Sequence, residues 1–288
     1  MVSVIMIAYN AADFITESIT SILGQTYSNI ELIVVDDGST DTTVQIIKSF
    51  KDPRIQFYEN PHTGITSKMK NFAIGKSSGE YVAFLDADDM WVKEKLELQL
   101  HALENNSEAG FSISDAETFN NHETLFVRTY KKKHLTEVIS IFNLLVTNAM
   151  IVYPSTILLR KQCLKKIKGF DESMMCGDHQ FIMNLSFHYK TAIVYEPLLK
   201  RRIHHNNHSK SFFAENYNEY VRTFIGLYQQ NFIDRKILNN AGSHAYYNLG
   251  MRYLQNSEIK LARSNFKKAL SYKLLFPQCM KQLIKSYF

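Results

Sequence analysis

Residues 85–90 read Leu-Asp-Ala-Asp-Asp-Met, placing three carboxylates within four positions directly after the apolar run Tyr81-Val82-Ala83-Phe84. Like charges so close repel unless a cation lies among them or water covers them. A second acidic group, Asp36-Asp37-Gly38-Ser39, follows another apolar run, Ile30 to Val35. Oxygen donors grouped in this way suit a hard divalent cation, Mg2+ or Mn2+, of the kind that also bridges substrate phosphates. Taken singly, each cluster is read equally well as a solvated turn that caps the following helix. Two such clusters, with no structural need for either, make a metal site harder to set aside.

The elements that must position them follow from periodicity. Val2 to Ile7 is continuously apolar, as expected of a strand buried on both faces. Asp13 is placed to cap a helix whose Ile15, Ile19, Ile22 and Leu23 share one face. Strands are expected again at Ile30–Val35, Ile55–Tyr58 and Tyr81–Leu85. Helices are expected between them: one with Val44, Ile47 and Phe50 inward, one at Thr66–Lys76, and one at Lys93–Asn105 that Asp89 helps to cap. Strand–helix alternation predicts a parallel sheet covered on both sides, with ligands bound beyond the carboxyl ends of the strands. Ala8-Tyr9-Asn10, Asp36-Asp37-Gly38-Ser39 and Asp86-Ala87-Asp88-Asp89 would then share one rim.

Beyond residue 109 the pattern is less regular. A strand is expected at Ser155–Arg160, a helix at Asp178–Lys190 and a strand at Thr191–Tyr195. After about Ser211 only helical patterns remain. Tyr246, Gly250, Tyr253, Ala262, Phe266 and Ala269 follow the spacing of a single tetratricopeptide-like repeat, which reads either as a packed helical hairpin or as a protein-binding surface.

Bulk properties narrow the classes. The chain has 288 residues, 45% apolar and 21% charged, with a net charge of +5, all ordinary for a globular protein. Its basic spots, Lys131-Lys132-Lys133-His134, Lys165-Lys166-Ile167-Lys168 and Lys200-Arg201-Arg202, lack the interleaved stacking residues of a nucleic-acid platform, so no nucleic-acid partner is expected. Cys163, Cys176 and Cys279 have no paired spacing, which fits a reducing compartment. The opening MVSVIMIAYN runs straight into a strand pattern with no basic leader. Val138–Leu159 lacks charge but carries Asn143, Asn148 and Pro154, so it is expected as a buried helix and strand and not a membrane span. No G-x-G-x-x-G follows the first strand, which disfavours a dinucleotide site.

Five stretches in order, VSVIMIAYN, ELIVVDDGSTD, GEYVAFLDADD, GFDESMMCGDHQF and RRIHHNNHSKS, resemble the family 2 glycosyltransferases over residues 1–211. That resemblance implies a GT-A fold: an α/β, Rossmann-like, mainly parallel sheet flanked by helices. Residues 1–108 would form the nucleotide-sugar half and 109–211 the acceptor half, with 212–288 a small all-helical extension. It implies an inverting transfer from a nucleotide-diphosphate sugar, a UDP-sugar above all, to a glycan or lipid-linked glycan. By position, Asp36 and Asp37 match the contact to uracil, and Ala8 and Tyr9 the nucleobase pocket. Asp86, Ala87 and Asp88 match the D-x-D segment, with Asp88 the metal ligand and Asp86 on the ribose side as well as a metal candidate. Asp178 matches the catalytic base. Lys70 and Asn71 fall where Arg and Asn usually stand near the donor. Arg202 matches a basic segment near the diphosphate, and His204 a third ligand for Mn2+ or Mg2+.

Two departures are informative. Gly177 stands where an acidic residue usually precedes the base, and His179 follows it, so a more cationic site is expected. The resemblance also implies a cytoplasmic enzyme of bacterial surface-glycan synthesis, with peripheral contact to an anionic membrane through patches such as Lys131-Lys132-Lys133. A sugar nucleotidyltransferase and a catalytically silent scaffold of the same fold are the alternatives. The former needs a Gly- and Arg-rich loop after its first strand, where this chain has Ala8-Tyr9-Asn10-Ala11-Ala12-Asp13.

Overall fold

The computed structural model describes residues 1–120, 123–128, 136–204 and 212–287, with the side chains of 127 and 128 left aside. The Lys131-Lys132-Lys133 patch and the stretch from His205 to Ser211 lie outside the described residues. The chain divides into two compact units, Met1–His204 and His205–Phe288.

In the first unit, β1 (Val2–Ala8), β2 (Ile30–Asp36), β3 (Ile55–Glu59) and β4 (Tyr81–Phe84) are parallel in the order β3-β2-β1-β4. Every residue of β2 and β4 is buried, so the continuous apolar runs reflect helices on both sheet faces. Those helices include α1 (Ile15–Leu23), α2 (Thr43–Ser49), α3 (Thr66–Lys76) and, after the two-residue strand β5 (Met90–Trp91), α4 (Lys95–Glu104). Ile15, Ile19 and Ile22 of α1 are fully buried.

Two capping expectations fail. Phe14, not Asp13, is the N-cap of α1, and Glu94 is that of α4; neither end has a side-chain cap bond. The backbone of Ala11 and Ala12 turns instead toward Thr43 and Asp41, and Asp89 is engaged elsewhere.

The sheet continues through β6 (Ala109–Asn120), β7 (Glu123–Arg128), β8 (Thr136–Ile139), β9 (Leu158–Arg160) and β10 (Lys190–Arg202). Strand β9 lies antiparallel between β4 and β6, and β10 runs parallel to β6. The expected strand at Ser155 starts only at Leu158, because Pro154–Thr156 forms one 3-10 turn. Strand β6 escaped the sequence pattern because Ser112, Ser114, Asp115 and Thr118 are buried in it. Strand β10 runs well past Tyr195, crossing Pro197 through shifts of register, and its end pairs with β5. The uncharged stretch from Val138 holds the end of β8, the short α5 (Phe142–Val146) and the start of β9. Among the described residues no helix is long and apolar enough to cross a membrane. The short α6 (Leu164–Ile167) and α7 (Asp178–His188) complete this unit.

The second unit contains α8 (Phe213–Gln229), α9 (Arg235–Gln255), α10 (Ile259–Tyr272) and α11 (Pro277–Lys285). Ala262, Phe266, Ala269, Phe276 and Cys279 form one core cluster in it, with Tyr246, Tyr247 and Met251 of α9 packed against them. The Tyr and Ala spacing thus marks the seam of a helical hairpin.

Candidate active site

Strands β1, β2 and β4 end side by side, and the three polar clusters follow them. Asp36 is buried and accepts hydrogen bonds from the amide and hydroxyl of Ser39. Asn10 closes the turn from the other side: its amide donates to Ser39 Oγ at 2.9 Å, and its side chain accepts from Thr40 N at 2.8 Å. Asp37 is 2% exposed. Its carboxylate accepts from Thr63 N and Oγ1 at 2.9 and 3.0 Å, from Gly64 N at 2.9 Å, and lies 3.1 Å from His62 Nδ1. Both oxygens are thereby engaged in holding the 62–64 loop. Gly38 makes that contact sterically possible, since it has φ +75° and a Cβ there would sit 2.6 Å from His62 N. Ala8 is fully buried, whereas Tyr9 is 47% exposed and stacks on His62, with ring centroids 4.3 Å apart. Tyr9 and His62 therefore form an aromatic platform at the rim.

The turn after β4 is held from both sides. Ala87 O accepts from Ser18 Oγ of α1 at 2.8 Å, and Asp86 N donates to Ser155 Oγ at 3.2 Å. Pairing of β5 with the end of β10 brings Arg202 and His204 beside the turn. Asp89 accepts from Arg202 N at 2.9 Å, and Arg202 Nε donates to the carbonyl of Asp88 at 3.1 Å. The guanidinium also donates to Glu17 and lies over the rings of Phe14 and Phe119 at 5.2 and 4.7 Å. Arg202 thus braces the acidic turn from a buried position. Burial, with Asp88 and Asp86 nearby, pushes the Asp89 carboxyl well above the ordinary carboxylate range. Asp89 belongs to this brace and does not cap α4.

His204 Nε2 lies 2.8 Å from Asp88 Oδ2, and the imidazole packs on Phe14 at 4.4 Å. Among the described residues no group of three or more His, Cys, Asp or Glu side chains is placed to hold a metal ion. Asp88 and His204 are a two-donor pair, however, and Mg2+ commonly takes one or two protein ligands and completes its shell with water and substrate phosphate. The pair could supply two of the ligands of such an ion.

Asp178 is brought toward this turn through α3. Thr66 Oγ1 and Ser67 N donate to Met175 O, and Ser67 Oγ to Met174 O. Asn71 Nδ2 donates to Phe170 O and to Glu172, while Asn71 Oδ1 accepts from Phe170 N, each at 2.9 Å. One face of α3 therefore grips the 170–178 segment. Below it, Phe170 stacks on Phe181 at 4.1 Å, and Phe84 of β4 meets both rings edge-on. Gly177, with φ +66°, makes the left-handed turn into α7 that an acidic residue would adopt only with strain.

Lys70 completes the link. Its buried ammonium donates to Asp178 Oδ1. Burial opposes its charge, but Asp178 and Asp86 outweigh that and hold its pKa above the ordinary lysine value. Asp86 is exposed as a residue, yet protein crowds its carboxyl. Loss of hydration and the charges of Asp88 and Asp178 raise it to about 6 against the opposing pull of Lys70. His179 does not add the expected positive charge, because burial lowers its pKa to about 4. The cation beside Asp178 is Lys70.

The model of the family described as "Glycosyl transferase family 2" matches residues 3–168. The chain belongs to glycosyl transferase family 2. Among similar proteins, the Escherichia coli UDP-Glc:alpha-D-GlcNAc-diphosphoundecaprenol beta-1,3-glucosyltransferase WfgD is 40% identical over 122 residues, covering 42% of this chain and 48% of that protein. The first three curated relatives are matched over 15%, 48% and 64% of their own lengths. In structure, this family 2 chain is similar to S. aureus TarS 1-349 in complex with UDP-GlcNAc, with a TM-score of 0.75 and 18% identity over 99% of this chain and 89% of that one. It is also similar to mannosyltransferase PcManGT from Pyrobaculum calidifontis in complex with GDP-Man and Mn2+, with a TM-score of 0.62 and 18% identity over 99% and 79% of the two chains. The fold of this family 2 chain is thus the GT-A architecture. His62, Glu17, Phe14 and Ser155 were not anticipated; all four lie at turns or on helix faces where no periodic signal marks them.

Proposed function

We propose that the chain transfers a sugar from a UDP-sugar to a hydroxyl of a glycan or lipid-linked glycan, with inversion at the anomeric carbon. One observation carries the reading: Asp178 and Asp86, nearly a hundred residues apart in sequence, both act on the buried ammonium of Lys70, Asp178 by direct contact. The UDP-GlcNAc complex of TarS supports a UDP donor, and the name of WfgD supports a lipid-diphosphate acceptor. Surface-glycan synthesis at the cytoplasmic face of a membrane is the setting that such an acceptor implies.

In this scheme the acceptor oxygen attacks the anomeric carbon while Asp178 takes its proton. The carbon–oxygen bond to the diphosphate breaks, and its electron pair leaves with the nucleotide. Lys70 holds the Asp178 carboxylate in place through its buried ammonium. Tyr9 and His62 offer a face to the nucleobase, and Asp36 and Asp37 hold the loops around it. Arg202 and Asn71 act by position, the first bracing the acidic turn and the second the segment carrying the base. Asp88 and His204, with Asp86 alongside, would hold a Mn2+ or Mg2+ ion, which would neutralise diphosphate charge.

The test is UDP release from a panel of UDP-sugars with Mn2+, with and without a lipid-diphosphate-GlcNAc acceptor. Acceptor-stimulated UDP release supports the transferase. Release of pyrophosphate would assign a nucleotidyltransferase, and no release from any donor a scaffold.

A further inference from the structure

The charge of this chain is unevenly placed. Residues 205–288 carry twelve lysines and arginines against four acidic residues, a net +8, whereas residues 1–204 are net −3. From Ile259 to the end there are seven basic residues and no acidic one. The same segment exposes aliphatic surface. Leu274 and Leu275, in the turn between α10 and α11, are 80% and 83% exposed. Met280 and Ile284, one turn apart on α11, are 44% and 59% exposed, while Cys279 and Leu283 of that helix face the core. Exposed Lys273 adjoins the leucine pair, and exposed Lys281 and Lys285 follow Met280 and Ile284 around the helix.

We propose that the Lys273–Lys285 segment docks this protein on an anionic lipid surface, with Leu274 and Leu275 entering the acyl boundary. Side chains exposed to this degree protrude and line no groove, so a folded partner would need a pocket shaped to them, whereas a bilayer needs none. An apolar stripe bordered by lysines is the pattern of a helix lying in a membrane interface, where the lysine stems reach back to the headgroups. The basic excess selects anionic over neutral lipid. Nucleic acid, the other polyanion, is bound through aromatic stacking, and the paired side chains here are aliphatic. Such docking deepens the proposed use of a lipid-linked acceptor, yet it is measured with neither donor nor acceptor present.

The experiment is flotation of the full chain with phosphatidylcholine vesicles, with and without phosphatidylglycerol. Binding is expected only with phosphatidylglycerol and should weaken as salt rises. The double variant Leu274→Ser/Leu275→Ser should bind about tenfold or more weakly. Lys273→Gln/Lys281→Gln/Lys285→Gln should lose roughly fivefold per lysine that reaches the surface. Both variants should keep the wild-type melting temperature, since these side chains lie outside the core, and UDP affinity with Mn2+ should be unchanged. Equal binding to neutral vesicles, or wild-type vesicle binding by the leucine variant, overturns the proposal. So does absence of vesicle binding together with self-association that the leucine variant abolishes, which would assign the face to a second copy. Failure of UDP release with vesicle binding intact would count against the transferase reading alone.

Discussion

The ammonium of Lys70 and the carboxylate of Asp178 meet across a sequence separation of 108 residues, with Asp86 facing the same charge. That contact ties α3 to the start of α7 and places a buried cation among carboxylates that would otherwise repel.

Removing the cation has a predicted pH signature. The Asp86 carboxyl is raised to about 6, so its ionised form is lost as pH falls through that value. UDP affinity in the presence of Mn2+ should weaken below about pH 6. In Lys70→Met the downward pull on Asp86 is gone, so the midpoint should move to higher pH. Calorimetric titration of UDP at a series of pH values measures this, and an unmoved midpoint would separate Lys70 from Asp86.

Asp178→Asn preserves the shape of the side chain and its place at the start of α7. UDP affinity should be retained while transfer falls by about 10²- to 10⁴-fold, the usual range for a lost general base. Near wild-type turnover would move the base elsewhere.

Asp88→Ala should abolish Mn2+-dependent UDP binding with little effect on thermal stability, because the turn is held by Ser18, Ser155 and the contact of Asp89 to Arg202. His204→Ala should weaken the same binding less. Unchanged UDP affinity with Mn2+ in Asp88→Ala would sink the metal assignment.

Asn71→Ala distinguishes a clasp from a donor contact. It leaves both backbone groups of Phe170 without the side-chain partner they have here, at a cost of about 1–3 kcal/mol. Urea unfolding should show that loss, and transfer should drop with UDP affinity intact. A fall in UDP affinity alone would restore Asn71 to the donor site.

His179 predicts acid sensitivity. Its pKa of about 4 in the folded chain lies below the ordinary 6.5, so the unfolded chain binds the extra proton between those values. Stability therefore falls as pH drops from about 6.5 to 4, by at most about 3 kcal/mol from this group. His179→Gln should flatten that part of the profile in urea midpoints.

Much of this site is legible in the residues themselves. The apolar runs at Val2, Ile30 and Tyr81 are strands buried on both faces, and a parallel sheet places their following turns on one edge. Hence the placement of Asn10, Asp37 and Asp86 on one rim follows from the apolar pattern alone. The expected span of α3, Thr66–Lys76, coincides with the helix found, because its ends are marked by turn residues. Less could be read where the pattern is polar or broken. Strand β6 hides behind buried serines and an aspartate, and β10 crosses Pro197 by shifting register.

Local propensity and a short-range apolar period were enough to mark the first four strands, the helices between them and the acidic groups at the strand ends. Tertiary structure alone decided which charges meet. It turned Arg202 into a brace for the Asp88–Asp89 turn, put Asn71 on the backbone of Phe170, and set Lys70 between Asp86 and Asp178. Those partners lie tens to over a hundred residues apart, and packing of Phe84, Phe170 and Phe181, with the pairing of β5 and β10, helps bring them together.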